Sequence, residues 1–547
     1  MRWRYLVSGV AVLAGSTASV SAQHTGHAQG GVPLYDNLGT HSYVITTQSP
    51  QAQRYFDQGL RLYYAFNHAE AIRAFHAAAE LDEQCAMCWW GVAVSYGPNI
   101  NLPMDSASGA AAYAALREAQ ARIDHASPSE RALIEALAVR YAPVPPANRA
   151  ALDSAYVRAM ADVVSAYQND AEVATLYAES IMDLSPWNYW ERDGTARPQT
   201  NDLLAAIESV LARAPLHPGA NHFYIHAVEA VDPQRAVAAA ERLAGLMPGA
   251  GHLVHMPGHI YVRVGRYRDA IAANEHAVHV DETYIRDQNP AFGVYVAGYY
   301  PHNYDFLTFA ASMIGRREQA IASADRMQEL QPQELLGAPG MTFMQHHRTR
   351  RLQMRVRFGA WQEILAEPAP PAELKHARAM WHYAHGRAAA ATGDSATAAA
   401  DEAAVRAAAA DPALVDERLE FNTAGDILTV AADVLAGHIA AARKDYDVAV
   451  TALSRAAEAE RELTYGEPPD WSVPVHYDLG VVLLEAGRPG EAQRAFEADL
   501  AFFPDNGWSL HGLARALRAQ GRSAEADEVQ ARFARIWEGA PIDVAGN

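Results

Sequence analysis

Six histidines and two carboxylates in this 547-residue chain fall at spacings that could hold a metal ion. His252, His255 and His259 lie three and four residues apart, which stacks side chains on one face of a helix. Upstream, His222, His226 and Glu229 fall at intervals of four and three. Downstream come His302 and Asp305, and further on His346 and His347 with Arg348, Arg350 and Arg351. Neutral imidazole ligates Zn, Cu, Ni and Fe. Glu229 or Asp305 could complete a nitrogen–oxygen site or fix a ring's tautomer from behind. The chain has no His-Glu-x-x-His, so the usual metalloprotease reading fails. Histidine between helices is also commonly a hydrogen-bonded packing residue. Packing, peptide contact and metal binding all stand open on the sequence alone.

The only two cysteines, Cys85 and Cys88, form a second short constellation. Trp89 follows where covalent haem attachment needs histidine, so a c-type haem is not expected. In an exported protein the default is a disulfide at a helix start. A redox-active pair, a thiolate seat for a soft metal and free thiols are the alternatives. There is no Gly-rich phosphate loop, nucleophile turn or dinucleotide fingerprint, so no catalytic residue is assigned.

These residues need elements to position them, and the elements are helical. The chain is rich in Ala, Leu, Glu and Arg with few β-branched runs. Gly480 and Ala492 are twelve apart, with Gly487 and Pro489 breaking the run between them and Phe496 four beyond. Gly59, Ala71, Phe75 and Ala78 repeat the pattern, as do Gly258 with Ala270 and Gly437 with Ala449 and Leu453. Gly386 with Ala398 and Gly512 with Ala524 echo it faintly. A small residue lets the second helix of a hairpin approach, and a large apolar residue fills the gap to the next hairpin.

This pattern resembles the tetratricopeptide repeat, with Gly480 to Pro504 the strongest match. The resemblance implies an all-α, right-handed superhelical solenoid of stacked hairpins. It also implies a concave groove lined by first helices. In that register the histidines above fall on the groove stripe, and Cys85 and Cys88 take places equivalent to His252 and His255. Tyr63, Tyr64, Asn67 and His68 would face the same opening, near the loop Tyr96 to Met104. Arg263, Arg348 and His346 would add partner contacts. Ring nitrogens of His226, His255, His259 and His302 should converge if they share one ion. The segments Cys85 to Gly91, Gly97 to Asn99 and His255 to Ile260 resemble those of exported bacterial repeat proteins, which implies fold and export but no chemistry.

The expected organisation is a signal peptide at 1–22 and a flexible lead-in at 23–50. A repeat block at 51–365 follows, with an irregular insert near 185–200, then a second block at 372–540 and a tail at 541–547. Arg2 and Arg4, the apolar run Leu6 to Gly15 and Val20-Ser21-Ala22 carry the signal reading. That run is too short to span a membrane, and no later stretch reads as a span. The formal charge is −20, from 44 basic and 64 acidic side chains, which argues against nucleic acid or anionic lipid as partner. The expected function is therefore an exported, periplasmic or extracellular module that binds a peptide or protein in its groove. The alternative is a metal-dependent hydrolase, oxidoreductase or carrier with Zn, Cu or Fe on the histidine cluster. Oligomeric state is not legible.

Overall fold

The computed structural model describes residues 31–542. The expected signal peptide, the start of the lead-in and the last five residues lie outside them. The described chain is mostly α-helical, and its only β pairings are isolated bridges such as Trp190 with Ala196.

Successive helices pair as antiparallel hairpins, and their packing explains the repeat. In the first hairpin, Pro50–Tyr64 packs on His68–Leu81. A Cβ added to Gly59 would sit 2.7 Å from the Phe75 ring, and one on Gly91, in the next helix Ala86–Ser95, would overlap the same ring. One buried phenylalanine thus fills the gap between its own hairpin and the next. Phe496 does the same between Gly480 and Gly512. Ala71 and Ala492, twelve residues after Gly59 and Gly480, are fully buried. Leu453 takes the phenylalanine role against Gly437, at 2.6 Å from an added Cβ. This is the all-α stacking of helical hairpins that the repeat spacing predicts. Gly487 closes its hairpin turn at φ +72°, where a side chain would be strained.

The chain forms two compact units. The first runs to Ile260 and adds Glu275–Tyr300; the second takes Tyr261–Asn274 and continues from Pro301. The proline-rich stretch 366–371 does not divide blocks. It lies inside the second unit, where Leu352 and Val356 before it share a core with Met380 and Tyr383 after it. The segment Thr464 to Pro474, expected as an interruption, is built into that unit: Trp471 is buried, and Ser472 donates to Gln353 Oε1.

Residues 31–49 are not a flexible lead-in. Leu38 and Ile45 are buried, and the Thr46 hydroxyl donates to Glu130 Oε2 at 2.6 Å. Ser42 donates to Asp57, and the Asn37 carbonyl accepts from the Gly249 amide. The insert near 185–200 is a loop between Ala171–Leu184 and Thr200–Arg213, anchored by Trp190 Nε1 on the Ala227 carbonyl at 2.7 Å. One helix, Ala424–Ala442, is long and apolar enough to cross a membrane, contrary to the expectation from sequence, but 72% of its apolar window is buried within the second unit.

Candidate metal centre

The helix Pro218–Val228 carries His222 and His226 one turn apart, with Glu229 at its C-cap. The short helices Gly251–His255 and Pro257–Arg263 carry His252, His255 and His259. All five rings and the carboxylate are buried in the first unit.

Each hydrogen bond here decides what the opposite ring nitrogen can do. His222 Nδ1 lies 2.8 Å from the Tyr64 carbonyl, which can only accept, so Nδ1 carries the proton. His226 Nδ1 donates to Glu229 Oε1 at 2.9 Å, and His259 Nδ1 donates to Glu229 Oε2 at 2.7 Å. Burial, reinforced by neighbouring imidazoles, pushes His222 and His252 well below the ordinary histidine range, and burial lowers His226 too. Neutral rings protonated at Nδ1 leave lone pairs at Nε2. Nε2 of His222, His226 and His252 has no hydrogen-bond partner, and the three residues offer ring nitrogens within 4.8 Å of one another.

Glu229 is a carboxylate shared by two rings of this cluster, His226 and His259. Burial alone would raise its pKa, but His259 and His226 override burial and hold it well below the usual range. His226, Glu229 and His259 form a second set with ligand atoms within 4.8 Å. His255 Nε2 and His259 Nε2 face each other at 2.9 Å.

Aromatic rings wall the centre. Phe66 lies 4.6 Å from the His222 ring and stacks on His252 at 5.4 Å. Tyr299 lies 4.6 Å from His252, on a short π-helical turn, Tyr295–Tyr299. Trp187, from the loop at 185–199, meets His226 edge-on at 4.9 Å and donates to Asn101 Oδ1 at 3.1 Å. The irregular insert thus packs Trp187 against His226, a contact the sequence could not show.

Asp305, His346 and His347 are engaged in other contacts. Asp305 is in the second unit, where its carboxylate pairs with buried Arg350 at 3.0 Å and is committed to that charge. His302 opens the helix Tyr300–Met313, half-buried, with its ring 5.1 Å from Phe306. His346 Nδ1 meets His376 Nε2, and its Nε2 donates to the Asp470 carbonyl, both at 3.1 Å. His347 pairs with Glu420.

The expected partner-binding residues are interior. Tyr63 donates to Glu179, Tyr64 donates to Glu172, Asn67 caps the next helix, and His68 stacks on Tyr63. Arg263 is buried with its guanidinium 3.9 Å over Phe502. Arg348 is half-buried. The small packing glycines draw these hairpins together and leave such side chains no open face. Cys85 and Cys88 are joined as a disulfide at the start of Ala86–Ser95, both fully buried.

One cluster escaped the sequence reading. His41 Nε2 lies 2.5 Å from Glu172 Oε1, and His217 Nε2 lies 3.2 Å from the same oxygen. His217 also caps its helix, accepting the Ala220 amide at Nδ1, so its nitrogens are taken. His217 before Pro218 was a readable cap signal, but nothing local ties His41 to it.

No family model matches this chain, and no curated protein matches it. Among solved structures it is similar to MamA AMB-1, at 17% identity over 44% of this chain and 99% of that one, with a TM-score of 0.20. It is similar to the anaphase-promoting complex assembly Cut9–Hcn1, at 14% identity over 85% and 76%, TM-score 0.31. It is also similar to the human IFIT1 dimer with m7Gppp-AAAA, at 11% identity over 89% and 90%, TM-score 0.32.

Proposed function

We propose that this chain is a metal-binding protein that holds a transition metal ion on His222, His226 and His252. The observation that carries the reading is three buried Nε2 atoms with no hydrogen-bond partner, on residues that offer ring nitrogens within 4.8 Å of one another. A buried polar atom left unsatisfied costs about 1–3 kcal/mol, so three together need a reason. A metal ion supplies it, since neutral imidazole suits Zn, Cu and Fe. The Tyr64 carbonyl and Glu229 orient two of the rings from behind, as ligand histidines require. Three protein ligands leave a position for water or substrate, which is the composition of catalytic sites. The reaction class this would serve is metal-dependent hydrolysis or oxidation–reduction.

Stacked hairpins commonly act as interaction scaffolds, and this fold suits that role in general. The finer reading of a peptide held by Tyr63, Tyr64, Asn67, His68 and Arg263 loses support, because those side chains are buried. Export to an oxidising compartment is supported by the leader-like Met1 to Ala22 and by the Cys85–Cys88 disulfide.

The test is elemental analysis of untagged protein after incubation with Zn, Cu or Fe and desalting. The expected result is retained metal that falls below stoichiometry in His222→Ala and His252→Ala. A protein that retains none, and whose melting none of the three ions changes, overturns the proposal.

A further inference from the structure

We infer that the Tyr299 hydroxyl donates a hydrogen bond to the ligand in the ion's open position, so that this position selects hydroxide or a small anion; this rests on the metal reading of His222, His226 and His252. A further orphaned polar atom beside the seat carries the inference. The Tyr299 ring lies 4.6 Å from the His252 ring, and its hydroxyl is buried with no hydrogen-bond partner. Burial pushes this phenol well above its usual range, so the hydroxyl keeps the proton it donates. Neighbouring tyrosines have committed theirs. Tyr295, on the same turn, donates to Asp281 Oδ1 at 2.6 Å, and Tyr284 donates to Glu70 Oε2 at 3.3 Å.

Two loops aim that hydroxyl. Trp187 meets the His226 ring edge-on at 4.9 Å and donates from Nε1 to Asn101 Oδ1 at 3.1 Å. Asn101 in turn approaches the Tyr299 oxygen. With Oδ1 held by Trp187, the amide presents its Nδ2 donor to that oxygen, and the phenol hydrogen is left for another acceptor. The path from His226 through Trp187, Asn101 and Tyr299 to His252 closes an arc between two of the three donor rings. Both ends of the arc are built. Asn99 Oδ1 accepts the Asn101 and Leu102 amides at 2.9 Å each, which fixes the loop Tyr96 to Met104. Trp187 is held at φ +61°, a left-handed conformation that is costly for any residue but glycine. Phe66 lies against all three donor rings, at 4.6 Å from His222, 6.4 Å from His226 and 5.4 Å from His252, and brings no polar atom. Tyr299 therefore supplies the donor that the aromatic wall lacks.

The experiment loads the full, disulfide-intact chain with Co(II), whose visible absorption reports its ligands, and titrates it with sodium azide as a small anionic probe. Azide should change the cobalt spectrum of the parent. In Tyr299→Phe, which removes one oxygen atom, cobalt stoichiometry and melting temperature should hold while azide affinity falls about tenfold, the loss of one hydrogen bond to a charged group. Tyr295→Phe, on the same turn, should bind azide as the parent does. Equal azide affinity in the parent and in Tyr299→Phe overturns the role of Tyr299 and leaves the metal reading standing. Loss of cobalt from Tyr299→Phe makes the phenol part of the seat and overturns its role toward the open position. A cobalt spectrum that azide does not alter overturns the open position itself. A parent that retains no cobalt overturns this inference; if it retains no zinc, copper or iron either, the metal reading falls with it.

Discussion

Asp305 shows how the same side chain reads differently in sequence and in structure. On a helical stripe it is three residues from His302 and looks like a ligand; in the fold it faces Arg350, forty-five residues on. Stripe arithmetic gives the face of a helix, never the partner across it. Arg350 is buried, and it also donates to the Asp470 carbonyl and to Ser472. Removing the carboxylate charge strands a guanidinium in the interior, at a cost of about 3–5 kcal/mol. Asp305→Asn should therefore lower the urea midpoint substantially while leaving metal stoichiometry unchanged; loss of metal at full stability would return Asp305 to the ligand set. His376 supports a pH prediction. It is fully buried, and burial pushes its pKa down to about 3. The unfolded ring takes a proton below about pH 6.5 and the folded ring does not. Stability from this group is thus complete above pH 6.5 and is lost as pH falls toward 3. Between pH 6.5 and 5 the loss is about 2 kcal/mol. Burial acts with opposite sign on Asp470 and Asp499, both raised to about 6, so the readout is a difference. His376→Gln should lose about 2 kcal/mol less than the parent between pH 7 and 5 in chemical denaturation. Equal losses would show that His376 is not held neutral.

At the scale of elements, the hairpins were legible because their packing rule is local. Gly59 to Ala71 to Phe75, and Gly480 to Ala492 to Phe496, repeat one offset, and the structure gives each phenylalanine a glycine on both sides. The Trp187 loop and the strap at 31–49 were not legible as packed elements, because their anchors are distant in sequence. Thr46 meets Glu130, and Trp187 meets Asn101 and His226. No periodicity marks such contacts. The histidine cluster falls between these cases: its spacing showed one face, but the tautomer of His222 depends on Tyr64, which comes from another hairpin. The packing rule itself can be tested. Gly512→Ala would drive a methyl group into the Phe496 ring, which is fully buried and held on its other side by Gly480. Overpacking of this kind costs about 1–3 kcal/mol. Phe496→Leu leaves a cavity, and the double variant Gly512→Ala with Phe496→Leu should be more stable than the two single losses added together. Strict additivity in urea denaturation would mean that the methyl and the ring do not compete for one space.

For the whole molecule, length and repeat marks pointed to one stack in two blocks, divided at prolines 366–371. The fold does form two compact units, but the chain passes between them near residues 260–301. Proline marks a turn between packed helices as readily as a boundary, and only tertiary contacts tell the two apart. This division places the proposed metal donors, His222, His226 and His252, with Glu229 behind His226, in the first unit. Phe75 is a core residue of the first unit and Phe496 of the second. An ion that binds only folded protein stabilises it by RT ln(1 + [M]/Kd), about 2.7 kcal/mol at a hundredfold excess over Kd. If each unit melts cooperatively, that gain belongs to the first alone. Calorimetry of the full chain should then show two transitions, identified by which one Phe75→Leu lowers and which one Phe496→Leu lowers. Added metal should raise the Phe75-sensitive transition by several degrees and leave the Phe496-sensitive one in place. A rise in the second transition alone would move the binding site out of the first unit and overturn the assignment of its ligands.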